Sequence, residues 1–184
     1  MDGGNAYRRY LDGDDGGLAE VIRLHQHRLM LYLNTYVGNI HVAEDLTEDT
    51  FVKLAVKKPR FRGDAAFGTW LFAIGRRVAL DYLRQHRRQA PLSLEDYGDL
   101  LPAADDPVQT AEQRERDTCL RRVLYTLPPP YRQALWLVYF EGCSHRAVAA
   151  VMGKSTHSVD TLLYRARNAL KAKLEQEGFS YENL

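Results

Sequence analysis

Side chains that can hydrogen-bond, stack and carry positive charge recur at helical spacing between residues 144 and 174. Ser144 and Ser155 each precede an apolar pattern of helical period and are typical N-cap residues, and Gly153 predicts a turn between two helices. On the second helix one face is apolar, at Val159, Leu163, Ala166 and Leu170, and the opposite face carries His157, Thr161, Tyr164 and Asn168. This pattern predicts a helix-turn-helix whose outer face contacts bases.

Basic side chains follow on the same helix at Arg165, Arg167 and Lys171. Lysine and arginine beside a base-reading face are suited to phosphate contacts, which position a protein on DNA without reading its sequence. An ordinary helical hairpin has the same spacing, and Asp160 near the helix start would repel phosphate unless it accepts a hydrogen bond. The basic final turns favour the DNA-binding interpretation.

A second cationic surface is predicted further upstream, on a helix expected from about Phe67 to Arg88. Its apolar stripe consists of Leu71, Ile74, Val78 and Tyr82, and the opposite side carries Arg76, Arg77, Arg84, Arg87 and Arg88. Trp70 lies beside that basic arc, and Phe61 and Phe67 lie in or next to the preceding loop. Arginines beside exposed aromatic rings suit single-stranded nucleic acid, because rings stack on bases while arginines neutralise the backbone. A core tryptophan under a solvated arginine face is the alternative.

The helix expected from about Val42 to Lys58 exposes an acidic face with an apolar centre, formed by Asp45, Glu48, Asp49 and Val52. Carboxylates at i, i+4 spacing can hold a metal pair, but no E-x-x-H element accompanies them, so a protein partner with a basic surface fits better. The six histidines form no HExxH or triad pattern, and no Gly-rich phosphate loop occurs. Cys119 and Cys143 form neither a disulfide framework nor a metal knuckle. We therefore expect no cofactor, metal or catalytic activity.

These surfaces lie in a chain of 184 residues whose net charge of +1 conceals strongly sorted charges. Residues 59–88 carry 7 basic and 2 acidic groups, residues 89–118 carry 2 and 8, and residues 119–184 carry 9 and 5. Two basic segments that flank an acidic one indicate two separate contacts with a polyanion. With 45% hydrophobic residues, the chain can also build a core.

Helical periodicity with almost no strand signal predicts an all-α protein. Further helices are expected over about Leu18–Val37, Val108–Leu127 and Pro130–Glu141, followed by the helix-turn-helix. We predict two small helical domains, over 1–88 and 114–184, joined by an acidic flexible linker over 89–113. The N-terminus has no signal-peptide pattern and no apolar run nears the roughly 20 residues of a membrane span, so we expect a cytoplasmic protein without membrane insertion.

Together these motifs resemble those of bacterial RNA polymerase sigma factors of the extracytoplasmic function (ECF) group, over nearly the whole chain. The first domain resembles sigma region 2 through residues 43–47, Phe51, residues 61–63, residues 69–74 and residues 81–84. The second resembles region 4 through Leu127-Pro128, Tyr131-Arg132, Gly142, Ser144, Gly153, Ser155, Val159 and residues 164–167. The order and spacing of the motifs, rather than any one of them, carry the resemblance.

The resemblance implies partners and roles for these surfaces. Asp45, Glu48, Asp49 and Val52 would bind the clamp helices of core RNA polymerase. Single-stranded bases of the minus-10 element would be captured by Phe61, Arg62, Phe67, Trp70, Arg76, Arg77, Arg84, Arg87 and Arg88. Minus-35 promoter DNA would be read by Ser155, Thr156, His157, Ser158, Asp160, Thr161, Tyr164, Arg165, Arg167 and Lys171. The second domain would also touch the polymerase flap, the linker would occupy the RNA-exit path, and an anti-sigma factor would hold the protein inactive.

Several positions depart from the family pattern. Arg77 stands where asparagine is common, His145-Arg146-Ala147 replaces an acidic pair, and Asp160 and Leu162 stand where basic residues are common. Because an acidic residue can accept from cytosine N4, we expect a minus-35 preference unlike the usual one. Two other functions stay open on sequence grounds: a helix-turn-helix regulator that binds duplex DNA without polymerase, and a helical adaptor for an acidic partner.

Overall fold

The computed structural model describes residues 3–86 and 120–176, and these ranges contain eight helices and no strand. The helices are α1 (Gly3–Leu11), α2 (Asp15–Val37), α3 (Ile40–Lys57), α4 (Phe67–His86), α5 (120–126), α6 (Pro129–Tyr139), α7 (His145–Met152) and α8 (Thr156–Gln176). The prediction of an all-α chain is confirmed. The predicted linker, Arg87, Arg88 and Cys119 lie outside the described residues.

Local capping sets the helix ends, some a few residues from where periodicity alone predicted them. Helix α2 begins at Asp15 rather than Leu18, because the Gly16 N–H donates to the Asp14 carboxylate at 2.9 Å. Helix α3 begins at Ile40, where the side chain of Asn39 accepts from the Val42 N–H at 3.2 Å. Between them Gly38, at φ 63°, ends α2 in the left-handed conformation that glycine adopts readily.

Helix α1 has no counterpart among the predicted elements. It buries Ala6, Tyr7 and Tyr10, and it packs along α2. The two backbones approach closely at Gly17, where a Cβ atom would lie 2.4 Å from the Ala6 carbonyl oxygen and 2.7 Å from the Tyr10 nitrogen. Glycine is therefore a packing requirement at this position.

Replacing Gly17 with alanine is expected to destabilise the protein by about 1–3 kcal/mol, because the added methyl group meets backbone atoms that cannot rotate away. Gly68→Ala is the matched control, since a Cβ there meets its nearest atom at an ordinary 3.9 Å. Urea denaturation of both variants tests the difference. Equal midpoints for the two variants would contradict the close approach of α1 and α2.

The N-terminal helices (α1–α4) and the C-terminal helices (α5–α8) pack against each other. Helix α2 contacts α1, α3 and α4, and in the C-terminal helices α8 contacts both α6 and α7. Between the two groups, α2 packs on α6 and α4 packs on α7. Their buried apolar residues form one continuous core. None of the helices in the described ranges combines the length and apolar character needed to cross a membrane.

Polar contacts also join the two groups of helices. Arg132 Nε donates to the Thr35 carbonyl oxygen at 2.6 Å, and Asn34 Nδ2 donates to the Tyr125 hydroxyl at 3.1 Å, both in buried positions. Arg28 Nε donates to a Glu141 carboxylate oxygen at 2.8 Å, and the Glu141 side chain is only 3% exposed. Burial raises the pKa of Glu141, although Arg28 acts in the opposite direction. Desolvation of the carboxylate thus outweighs its attraction to Arg28.

Candidate nucleic-acid interface

Helices α7 and α8 form the predicted helix-turn-helix. Ser144 caps α7 by accepting from the Ala147 N–H at 3.2 Å, and Ser155 Oγ accepts from the Ser158 N–H at the same distance. Gly153 makes the turn at φ 64°. Val159 and Leu163 are fully buried on the inner side of α8. The caps, the turn and the inner face of α8 agree with the sequence prediction.

The outer face of α8 is solvent-exposed along its length. All ten residues assigned to duplex DNA are exposed: Ser155, Thr156, His157, Ser158, Asp160, Thr161, Tyr164, Arg165, Arg167 and Lys171. Tyr164 is a large ring with 68% exposure. An exposed aromatic residue among short polar and basic side chains can make apolar and hydrogen-bonding contacts in a DNA groove.

Two of these side chains contact a residue of another helix. Arg167 Nε donates to the Tyr139 hydroxyl at 2.9 Å, and its guanidinium lies 5.9 Å from the centre of that ring. Asp160 Oδ1 lies 2.6 Å from Nδ1 of His145, the first residue of α7. Both contacts connect α8 to a neighbouring helix, so they fix the direction in which these two side chains point.

The aromatic residues predicted for single-stranded DNA form a cluster with rings that the sequence prediction missed, Tyr7 and His25 among them. The rings of Phe61, Phe67 and Trp70 lie 5.2–5.4 Å apart between centroids. Tyr7 of α1 joins them, 5.3 Å from Trp70, and its hydroxyl donates to the Pro59 carbonyl at 2.9 Å. Burial raises the pKa of Tyr7 to about 12, so it remains a neutral donor. Tyr7 therefore attaches α1 to the loop before α4.

Members of this cluster differ in exposure. Phe67 is only 3% exposed and lies at the buried side of the cluster, so it supports the loop rather than presenting a ring to a base. Phe61 and Trp70 are half-buried, and the guanidinium of Arg8 lies 5.6 Å from the Phe61 ring centre. Arg62 is exposed beside them in the loop. The accessible aromatic surface is thus that of Phe61 and Trp70, flanked by arginines.

The arginines of α4 do not all point to solvent. Arg77 and Arg84 are exposed, with Arg84 paired to Asp81 at 3.1 Å. Arg76 is half-buried beside the Tyr36 hydroxyl, where its charge opposes the burial that raises the pKa of Tyr36. An Arg76 nitrogen also lies 3.8 Å from where a Cβ on Gly153 would be. Arg76 therefore lies where α4 meets the helix-turn-helix.

Helix α3 presents the predicted acidic face. Asp45, Glu48 and Asp49 are exposed, and Val52 is 56% exposed. One turn further on, Val56 is 76% exposed and extends the apolar strip beyond the prediction. Within the described residues no group of three or more His, Cys, Asp or Glu side chains is arranged to hold a metal ion. This face is suited to a protein surface that is basic with apolar pockets.

Cys143 lies half-buried at the end of the loop after α6. Burial raises the pKa of its thiol, and a hydrogen bond with Thr69 of α4 acts in the opposite direction. A raised pKa lowers the thiolate fraction and with it the reactivity of the sulfur. The structure therefore gives Cys143 a packing position between α4 and the C-terminal helices.

Comparison with known proteins finds a family match for both groups of helices. The family descriptions "Sigma-70 region 2" and "Sigma-70, region 4" match residues 21–89 and 117–170. The RNA polymerase sigma-H factor of Pseudomonas aeruginosa is 29% identical over 171 residues, covering 89% of each chain. The ECF RNA polymerase sigma factor SigM of Bacillus subtilis is 27% identical over 154 residues, covering 83% of this chain and 92% of SigM.

A solved structure also shares the fold. It is the sigma factor RpoE of Bartonella quintana, crystallised in complex with the anti-sigma factor NepR, with a TM-score of 0.68 at 23% identity over 85% of this chain and 96% of that one. The sequence matches cover both groups of helices, so the resemblance found in the motifs is confirmed. The chain belongs to the sigma-70 family of RNA polymerase sigma factors, in the extracytoplasmic function group.

Proposed function

We propose that this chain binds core RNA polymerase and directs it to promoters with a minus-10 and a minus-35 element. One observation carries the proposal: a single chain presents a helix-turn-helix with an exposed polar face and, separately, a loop whose aromatic rings are flanked by arginines. The first surface suits duplex DNA and the second suits unpaired bases. A protein that only reads duplex DNA needs no second surface.

We assign capture of the minus-10 non-template bases to the loop and α4. Flipping a base out of the stack costs a few kcal/mol, which a protein surface can offset by stacking against the extruded base. Phe61 and Trp70 offer the aromatic surface, while Arg62, Arg77 and Arg84 are exposed and would contact phosphates. Promoter opening by this route needs no nucleotide hydrolysis by the chain, and we assign it no catalytic residue.

Reading of the minus-35 element falls to α8 in this proposal. Thr156, His157 and Thr161 are exposed near its N-terminal end, where recognition helices contact base edges. Arg165 and Lys171 are exposed further along, where they can reach phosphates. The C-terminal helices would also contact the polymerase flap.

Protein partners complete the proposal. The acidic and apolar face of α3 would bind the clamp helices of core polymerase, and an anti-sigma factor would compete for such surfaces. RpoE of Bartonella quintana, which shares the fold, was itself crystallised in complex with an anti-sigma factor. Residues 89–113 would connect the two domains, 1–88 and 114–184, through the RNA-exit path. Because bacterial RNA polymerase works in the cytoplasm, we place the action of the chain there.

Transcription with core RNA polymerase on sheared genomic DNA, with and without this protein, tests the function. Transcript starts that depend on the protein and share two upstream elements would support it. Tight specific binding by the isolated chain without dependent starts would instead identify a regulator that acts without polymerase. No promoter complex under either condition would identify an adaptor.

Arg165 gives a prediction specific to duplex binding. Arg165→Ala is expected to make the negative slope of log affinity against log salt shallower by about 1, because one phosphate contact is lost, and to weaken binding about equally on all sequences. Lys173→Ala removes the same charge from an exposed position about two turns further along α8, outside the ten residues assigned to DNA, and should leave the slope unchanged. Filter binding of the holoenzyme between low and moderate salt measures both. An unchanged slope for Arg165→Ala would remove this residue from the phosphate contacts.

A further inference from the structure

Asp160 is the one acidic residue on the outer face of α8 between residues 155 and 171. Basic residues would be expected there, since a carboxylate repels the phosphates of the groove it enters. Its side chain is 52% exposed, and that of His145 is 40% exposed. Asp160 Oδ1 and His145 Nδ1 are 2.6 Å apart, so the acid is held by a residue of the preceding helix rather than left free.

The hydrogen bond fixes which atoms remain available. An ionised carboxylate can only accept, so His145 Nδ1 carries the hydrogen and donates it to Oδ1. The second oxygen, Oδ2, keeps its lone pairs for another donor. Because His145 begins α7, which Ser144 caps, the imidazole approaches from an ordered position and restricts the rotamer of Asp160.

A fixed acceptor on a recognition helix discriminates among bases by the hydrogen-bond donors and acceptors that each base presents in the major groove. In the major groove, guanine presents only acceptors and thymine an acceptor and a methyl group, so both disfavour a carboxylate. Adenine offers its N6 donor beside the N7 acceptor, which repels the second lone pair. Cytosine offers the N4 donor without an adjacent acceptor on the same base, and carboxylates accept from it.

We propose that His145 and Asp160 act as a base-reading pair, in which Asp160 accepts a hydrogen bond from cytosine N4 in the minus-35 element and His145 is its positioning residue. This inference rests on the proposed function, because it assigns the specificity of the same helix. It makes His145, which lies outside the set of DNA contacts predicted from the sequence, a determinant of that specificity.

The test uses holoenzyme formed with the full chain and a promoter pool randomised across the minus-35 element. The wild-type protein should prefer cytosine at one position by about tenfold or more, as expected for a hydrogen bond to a charged group. Asp160→Asn should move the preference at that position from cytosine to adenine, since asparagine pairs with adenine N6 and N7. Glu175→Gln, the same kind of change at the far end of α8, should move nothing.

His145 variants separate positioning from a purely structural contact. His145→Ala should weaken the cytosine preference at that one position several-fold while other positions keep theirs, and His145→Gln, which can still donate, should restore most of it. If the pair served only to hold α7 to α8, His145→Ala would reduce selectivity at every position together and lower the melting temperature. That result would overturn the proposal.

Two further outcomes distinguish this inference from the function on which it rests. If the wild-type holoenzyme selects an upstream element but Asp160→Asn keeps the same preferences, the base-reading pair is wrong and the function stands. If the wild-type holoenzyme selects no upstream element at all, both are overturned.

Discussion

Reversing the charge of Asp45 and Asp49 together, as Asp45→Arg and Asp49→Arg, is expected to weaken binding to core RNA polymerase by about a hundredfold or more. Both carboxylates lie on the exposed face of α3 beside Val52. Like charges brought together across an interface cost several kcal/mol, and each factor of ten in affinity corresponds to about 1.4 kcal/mol. The fold should tolerate the change, because surface substitutions away from packed features usually alter stability by about 0.5 kcal/mol or less.

Fluorescence anisotropy of the labelled chain titrated with core polymerase measures this effect. Asp12→Arg combined with Glu175→Arg is the control, since it makes the same change of charge at exposed positions away from α3. Matching losses for the two double variants would mean that net charge, not the α3 face, sets the affinity. A weakened α3 variant that also unfolds at a lower temperature would point to a defect of the fold.

Phe61→Ala is expected to reduce promoter opening by roughly fivefold to a hundredfold, since stacking on one base contributes about 1–3 kcal/mol. Phe61 lies at the accessible edge of the aromatic cluster, 5.2 Å from Trp70 between ring centres. Permanganate reactivity of unpaired thymines in the minus-10 element reports opening directly. The binding of the holoenzyme to closed duplex should change much less than the reactivity.

Conservative variants of Phe61 show whether promoter opening depends on stacking of the ring against a base or on packing of the side chain within the cluster. Phe61→Leu keeps an apolar side chain against Phe67 and Trp70 but has no π-face, whereas Phe61→Tyr keeps the ring. We expect tyrosine to preserve opening and leucine to lose nearly as much as alanine. If the leucine variant opens promoters at the wild-type level, Phe61 does not act by stacking on a base and is a packing residue.

The parts of this structure that depend on local sequence could be predicted, and those that depend on distant contacts could not. The helix-turn-helix follows from caps and a turn at Ser144, Gly153 and Ser155, each within a few residues of the atoms it contacts. Helix α1 escaped prediction because glycines and acids surround its short apolar pattern. Its two tyrosines and Ala6 were the available signal.

Which side chains of the candidate site are buried was harder to predict from the sequence than which helix face they occupy. Periodicity places Phe67 and Arg76 next to the predicted DNA surface, but the structure puts Phe67 at the buried side of the cluster and Arg76 beside Tyr36. The contact of His145 with Asp160 joins residues 15 positions apart in the sequence, on different helices. No helical period encodes such a contact, because it depends on how two helices cross.

The packing of α4 on α7 bears on how far the chain can reach. The minus-10 and minus-35 elements are separated by about 25 base pairs, or about 85 Å of duplex, whereas a compact chain of this length is roughly 40 Å across. If the outer face of α8 and the aromatic loop bind these two elements as proposed, the packing of α4 on α7 holds the two surfaces too near each other to engage both elements at once. Binding to both elements would then require the two groups of helices to separate, and apparent promoter affinity would scale with the fraction of molecules in which they are separated. Contacts such as Arg132–Thr35 and Asn34–Tyr125 would then oppose promoter binding, because the free energy with which they hold the two groups of helices together would be subtracted from the free energy of binding to DNA.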